Sequence, residues 1–178
     1  MSDPLAVAAP AAWLLEHANL LPKTGLVLDV ACGRGRHALH LAAKGFRVRA
    51  IDHDPAALAF VENAARTRGL RVDCAFVELE TAPSPDLGEA EYDAVLVFNY
   101  LHRPLFPSLR NALRPGGLLF CETFTLAQAA RGRPTNPAFL LHPSELPGLV
   151  APLTVLRSRE GDFDGRFVAS VVAERGVE

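Results

Sequence analysis

The chain has no run of Lys or Arg, no CxxC pair and no stretch of about 20 uninterrupted apolar residues, and each absence removes a class of function. With a formal net charge of −2 and no basic run, no field gathers nucleic acid or an anionic membrane. The three cysteines, Cys32, Cys74 and Cys121, lack metal-ligand spacing and sit in apolar stretches, so they read as small reduced core residues, with no metal expected. Without a bilayer-length segment the protein is expected to be soluble and cytoplasmic. Residues 1–23 are apolar but lack a basic leading region and carry Pro4, Pro10, Glu16 and His17. They read as a docking helix, not a signal peptide. Internal repeats, low-complexity tracts and linkers are also missing.

What is present is a folded chain of 178 residues, 49% hydrophobic and 21% charged, long enough for one well-cored domain over 1–178. Short Val/Leu/Ile runs alternate with segments of helical period, the pattern of βα units feeding a mostly parallel sheet. Strands are expected at 26–30, 47–51, 72–77, 94–98 and 118–122. The first helix follows Ala38, Leu41, Ala42 and Gly45. A second covers 55–68, capped by Asp54 with Pro55 at its first position and closed by Gly69. A third carries Leu105, Leu109, Ala112 and Leu113, and Arg114-Pro115-Gly116-Gly117 halts it before the fifth strand.

Residues 24–122 thus form a core, and the register then breaks. Gly132, Pro134 and Pro137 punctuate 123–142 as a loop over a binding site, before a short helix near 143–150. Within 151–178, runs at 153–160 and 166–174 pair as an antiparallel hairpin across Gly161-Asp162-Phe163-Asp164-Gly165.

The chemistry concentrates at Asp29-Val30-Ala31-Cys32-Gly33-Arg34-Gly35-Arg36, where a strand enters a helix through small residues that let backbone amides approach a ligand closely. Ala31, Gly33 and Gly35 do not make G-x-G-x-x-G, which argues against a nicotinamide enzyme. Asp52 ends the second strand, where a carboxylate can accept from both ribose hydroxyls, while Asp54 already fills the helix-capping role.

LDVACGRGRHALHLA resembles the first motif, and RVRAIDHDPAAL the second, of class I S-adenosylmethionine-dependent methyltransferases. YDAVLVFNYLHRPLFPSLRNALRPGGLLFCETF resembles the same class's fourth strand, following helix and fifth strand. VFNYLHRPLFP, the ETF strand ending and NPAFLLHPSEL are similar to small bacterial methyltransferases of the tellurite-resistance type. The class resemblance implies a three-layer α/β sandwich built on a doubly wound, seven-stranded, mostly parallel sheet whose last strand is antiparallel. It also implies S-adenosylmethionine as cofactor and S-adenosylhomocysteine as product. By position, Asp29, Ala31, Cys32, Gly33 and Gly35 would cradle the methionine moiety, Asp52 with His53 the ribose, and Glu78 with Leu79 the adenine. Phe98 and Asn99 would flank the sulfonium. Ala31 departs from the usual first glycine and Glu78 from the commoner aspartate; Glu78 also reads as a plain solvated strand end.

Transfer from a sulfonium needs an in-line nucleophile and a dry pocket more than a strong acid. Candidates for a general base are His102, Tyr100 and Glu122, with His102 also readable as a pin for its own loop. Arg103, Glu122, Arg133 and Asn136 are candidate contacts to a polar acceptor. Few residues lie outside the cofactor core, so a small-molecule acceptor is expected, with neither nucleic acid nor membrane as partner. A non-catalytic cofactor-binding module or assembly subunit is the alternative. No feature declares an oligomeric state.

Overall fold

The computed structural model describes residues 6–177. Seven strands form one sheet in the order β3-β2-β1-β4-β5-β7-β6. They span β1 Leu26–Val30, β2 Arg47–Asp52, β3 Val72–Phe76, β4 Tyr92–Phe98, β5 Leu113–Phe124, β6 Thr154–Phe163 and β7 Arg166–Glu174. The first five strands run parallel and β7 runs antiparallel to both β5 and β6. The helices are α1 Ala12–Glu16, α2 Arg36–Ala43, α3 Pro55–Thr67, α4 Phe106–Ala112 and α5 Leu146–Val150. This is the expected α/β sandwich. The part of the proposed docking segment at residues 1–5 lies outside the described residues. None of the helices among the described residues is long and apolar enough to cross a membrane.

Alternation along the strands divides the core, because successive side chains leave opposite faces. Leu28, Val30, Val95, Val97 and Leu119 meet Leu105, Leu109, Leu146 and Val150 on one face. Val27, Ala94, Leu96 and Phe120 meet Trp13, Leu14, Ala38 and Leu41 on the other. Every residue of β4 is buried, as the centre of a parallel sheet covered on both sides requires. The Trp13 indole N–H donates to the Val171 carbonyl at 3.1 Å, so α1 is fastened to β7.

Two strand boundaries move by three residues or more from the sequence expectation. The hairpin turn has only Asp164 and Gly165 between the strands, at φ 54° and 78°, as a twist-matched two-residue turn requires. Gly161-Asp162-Phe163 therefore belongs to β6. The β5 strand begins at Leu113, and Arg114-Pro115-Gly116-Gly117 forms a bulge within it, visible as the shift from Tyr92↔Leu113 to Ala94↔Leu118. A Cβ on Gly117 would stand 2.8 Å from the Tyr92 carbonyl oxygen, which explains a glycine at this close approach.

Candidate active site

The strand order reverses direction at β1, which has β2 on one side and β4 on the other, and a ligand crevice opens beyond the carboxyl ends of strands at such a point. There, Ala31, Gly33 and Gly35 take φ of 53°, 53° and 72°, alternating with their neighbours. Successive amides in such a turn converge on a concavity suited to an anion or a lone pair. The turn is held from strand β2: the Cys32 amide donates to the Ile51 carbonyl at 3.1 Å and the Gly33 amide to Asp52 Oδ2 at 2.8 Å. Asp52 Oδ1 accepts from the Asp54 amide at 3.0 Å and lies 3.3 Å from His53 Nδ1. Asp52 thus supports the turn, a role the sequence did not disclose, and it is buried and lines neither that crevice nor the pocket beside it. Asp54 caps α3 through the amides of Ala56 and Ala57.

Asp29 closes the other side. Its Oδ2 accepts from the Ala38 amide at 3.0 Å, satisfying one of the orphan donors in the first turn of α2. Burial raises its carboxyl pKa to about 7, partly offset by that bond and by Arg36. Cys32 and Cys121 are buried thiols pushed upward by desolvation, and all three cysteines are free. No group of His, Cys, Asp and Glu suited to a metal occurs among the described residues.

A cleft of about 440 Å³ is lined by Asp29, Ala31, Gly33, Arg36, Phe98 and Asn99, with residues 6–8 along one edge. The N-terminal segment is tied down by the Ala11 amide, which donates to His37 Nε2 at 3.1 Å, and by the Arg36 guanidinium, which reaches the Ala9 carbonyl at 3.4 Å. Burial lowers the His37 pKa to about 3, with Arg36 adding to the effect, so the ring is a neutral acceptor. It packs on Phe98 with centroids 4.3 Å apart. A second pocket of about 300 Å³ shares Asn99 and Tyr100 with the first and continues to Thr123, Phe124 and Phe139.

Of the residues singled out in sequence, Asp29, Ala31, Cys32, Gly33, Phe98, Asn99 and Tyr100 line the first cleft together. Leu79 is buried nearby in chain order and Glu78 is exposed. Tyr100 donates to Glu80 Oε1 at 3.4 Å, and burial with that carboxylate raises its phenol well above the ordinary value, which makes it a donor and not a base. His102 lines neither pocket, and its Nε2 is buried without a hydrogen-bond partner among the described residues.

The four polar-contact candidates are not gathered at either pocket. Arg103 makes a two-pronged bond to Glu145, at 2.5 and 2.8 Å, and donates to the carbonyls of Ala138 and Leu140, clamping the loop. Glu122 is buried and accepts from Ser170 Oγ at 2.7 Å and Arg159 Nη2 at 3.3 Å, with Arg166 3.6 Å away. Asn136 caps its own turn through the Ala138 amide, and Arg133 is exposed. Sequence reasoning missed Arg36, His37, Glu80 and Phe139. Arg36 and His37 carried a signal, since they are the first two positions of the helix after the turn; Glu80 and Phe139 carried none.

A sequence model described as a methyltransferase domain matches residues 27–117. The chain is 30% identical over 86 residues to a probable S-adenosyl-L-methionine-dependent methyltransferase, TehB, of Haemophilus influenzae, covering 47% of this chain and 29% of that protein. It is 30% identical over 132 residues to a ubiquinone biosynthesis O-methyltransferase of Xanthomonas axonopodis, covering 71% of this chain and 54% of that one. The chain spans between 29% and 54% of the length of these relatives. The crystal structure of Haemophilus influenzae TehB superposes with a TM-score of 0.80 at 19% identity, over 95% of this chain and 63% of that one. A geranyl diphosphate C-methyltransferase of Streptomyces coelicolor, solved with S-adenosyl-L-homocysteine, gives 0.72 at 15% identity over 92% of this chain and 78% of that one. Turn, strand order and antiparallel last strand agree with these folds, and the chain belongs to the methyltransferase domain family, with the class I Rossmann-like methyltransferase fold.

Proposed function

We propose that the protein transfers a methyl group from S-adenosylmethionine to a small molecule. The observation that carries this reading is the left-handed turn at Ala31, Gly33 and Gly35, whose Gly33 amide is fixed by Asp52 while Asp29 faces the same cleft. The fit is physical: a Cβ added to Gly33 meets nothing within 4 Å, so the turn presents bare backbone to an open space. Bound there, the cofactor would supply an electrophilic methyl group on sulfur. Asp29, once ionised, would pair with the methionine ammonium, and the backbone from Ala31 to Gly35, Cys32 included, would hold its chain. Asp52, flanked by His53, would accept from the ribose, Glu78 and Leu79 would meet the adenine, and Phe98 and Asn99 would border the sulfur.

Positioning and exclusion of water account for most of the rate in this reading. Tyr100 orients by donating, and His102 lies outside both pockets, away from the acceptor. Arg103 and Asn136 brace the loop after β5, while Glu122, tied to Ser170 and Arg159, and Arg133, exposed, line neither pocket. Two pockets of a few hundred Å³ suit a small acceptor, not nucleic acid or a membrane, and a cytoplasmic setting agrees with free cysteines. The test is incubation with methyl-labelled S-adenosylmethionine and a panel of small nucleophiles, followed by ultrafiltration. Label in the small-molecule fraction supports the proposal. Label on macromolecules overturns the acceptor class, and cofactor binding without turnover in any arm makes the protein a binding module.

A further inference from the structure

We infer that the pocket beyond Tyr100 takes a neutral, planar aromatic acceptor and rejects anions; this rests on the methyl-transfer reading above. The pocket is walled by Tyr100, Leu101, Phe124 and Phe139, with His53, Glu80, Asn99 and Thr123 as its polar members. Three aromatic rings around about 300 Å³ favour a flat ligand, since stacked and edge-on contacts add to simple burial. Phe139 is 44% exposed, an apolar ring at the mouth that a seated ligand would cover.

The charges decide between classes of flat ligand. No Lys or Arg lines this pocket among the described residues, and the His53 imidazole in its lining stands 3.3 Å from Asp52 Oδ1. Arg166, Arg159 and Arg103 are engaged elsewhere, and Arg133 is exposed and outside the lining. Arg166 bonds Asn99 Oδ1 at 2.6 Å, faces Glu122 at 3.6 Å and lies 4.9 Å from the Phe124 ring centre. Arg159 bonds Glu122 and Glu16 and lies against the Phe163 and Trp13 rings. Arg103 is held by Glu145. The carboxylate of Glu80 is left facing the pocket beside the Tyr100 hydroxyl. An anionic acceptor would meet this carboxylate with no guanidinium in the lining to offset it, whereas a neutral ring meets the phenol and three apolar walls. In the transfer, a lone pair of the acceptor's hydroxyl, thiol or amine forms the bond to the methyl carbon as the carbon–sulfur bond breaks. The electron pair stays on sulfur and the acceptor proton leaves to water at the mouth beside Glu80.

The test compares two molecules of one shape, 2-naphthol and 2-naphthoate, together with inorganic selenite, titrated into the whole protein with and without saturating S-adenosylhomocysteine. Naphthol is expected to bind at least about 10-fold more tightly than naphthoate, and Phe139→Ala to weaken naphthol by about 10-fold while leaving S-adenosylhomocysteine binding unchanged. Glu80→Gln should raise naphthoate affinity several-fold. Equal or tighter binding of naphthoate or selenite overturns the inference. So does a Phe139→Ala variant that loses S-adenosylhomocysteine, which would make the pocket part of the cofactor site. If S-adenosylhomocysteine itself fails to bind, the methyl-transfer reading fails, and the naphthol–naphthoate contrast in the cofactor-free protein still decides the pocket.

Discussion

Gly33 and Gly35 occupy the same kind of backbone conformation, yet alanine should have opposite consequences at the two positions. At Gly35, φ is +72° and a Cβ would sit 2.7 Å from Val61 Cγ2 and 3.0 Å from Val61 Cγ1. Val61 is fully buried in α3, so neither side can yield freely. Left-handed strain of roughly 1–2 kcal/mol and overpacking of roughly 1–3 kcal/mol make Gly35→Ala cost about 2–5 kcal/mol. For a chain of this size that lowers Tm by about 5–15 °C. At Gly33, φ is +53° and nothing lies within 4 Å of the added methyl, so only the strain term of about 1–2 kcal/mol remains. The methyl would instead enter the cleft where the cofactor is proposed to lie. Thermal unfolding and calorimetric titration with S-adenosylhomocysteine separate the two: Gly35→Ala should melt early, and Gly33→Ala should fold nearly normally but lose at least about 10-fold in affinity, roughly 1.4 kcal/mol. Equal Tm values for the two variants would refute the packing argument, and undiminished affinity in Gly33→Ala would refute the placement of the ligand.

Ala31 already bears a Cβ at φ 53°, so Ala31→Gly should raise stability by up to about 1 kcal/mol; a drop would show that the alanine methyl is packed. Asp29 has a folded pKa of about 7, above the ordinary value of 3.8, so the folded state holds a proton that the unfolded chain has released. This contribution is full at low pH and is lost as pH rises through 7. Urea denaturation from pH 5 to pH 8 should show wild type losing about 2–3 kcal/mol relative to Asp29→Asn, and parallel profiles would contradict the burial argument. His37 shifts the other way, to about 3 from 6.5, so its contribution is present above pH 6.5 and is lost as pH falls toward 3. Between pH 7 and pH 5, wild type should lose about 2 kcal/mol relative to His37→Gln. Arg103→Lys keeps the charge but not the two-pronged geometry, and trypsin should then cleave faster at the Arg131–Gly132 bond; unchanged cleavage would show that the clamp does not restrain the loop.

Wherever local pattern governs, the sequence disclosed the structure. The alternation of apolar runs with helical period located five parallel strands because each βα unit is set by short-range periodicity, and Asp54-Pro55 marked the start of α3 by capping chemistry alone. Strand ends were less legible. The Pro115-Gly116 pair reads as a helix stop, and only the pairing with β4 turns it into a bulge inside β5. Among the site residues, the turn and Asp52 stand out through residue type and spacing. The partners of Arg103 and Glu122 lie 42 and 37 to 48 residues away, so nothing local announces that these side chains are engaged within the fold. The aromatic wall at Phe139 is equally a product of tertiary packing: an apolar residue between prolines carries no sign of which cleft it will face.

The central claim is tested most directly by calorimetric titration of the folded protein with S-adenosylmethionine and S-adenosylhomocysteine, with NADH as control and Asp52→Ala checked for its Tm. Because Asp52 also holds the Gly33 amide, the variant should lose both the ribose contact and the shape of the turn. Micromolar binding of both sulfur ligands by wild type, abolished in a variant that still melts cooperatively, and no binding of NADH, is the expected result. Folded wild-type protein that binds neither sulfur ligand would contradict the account.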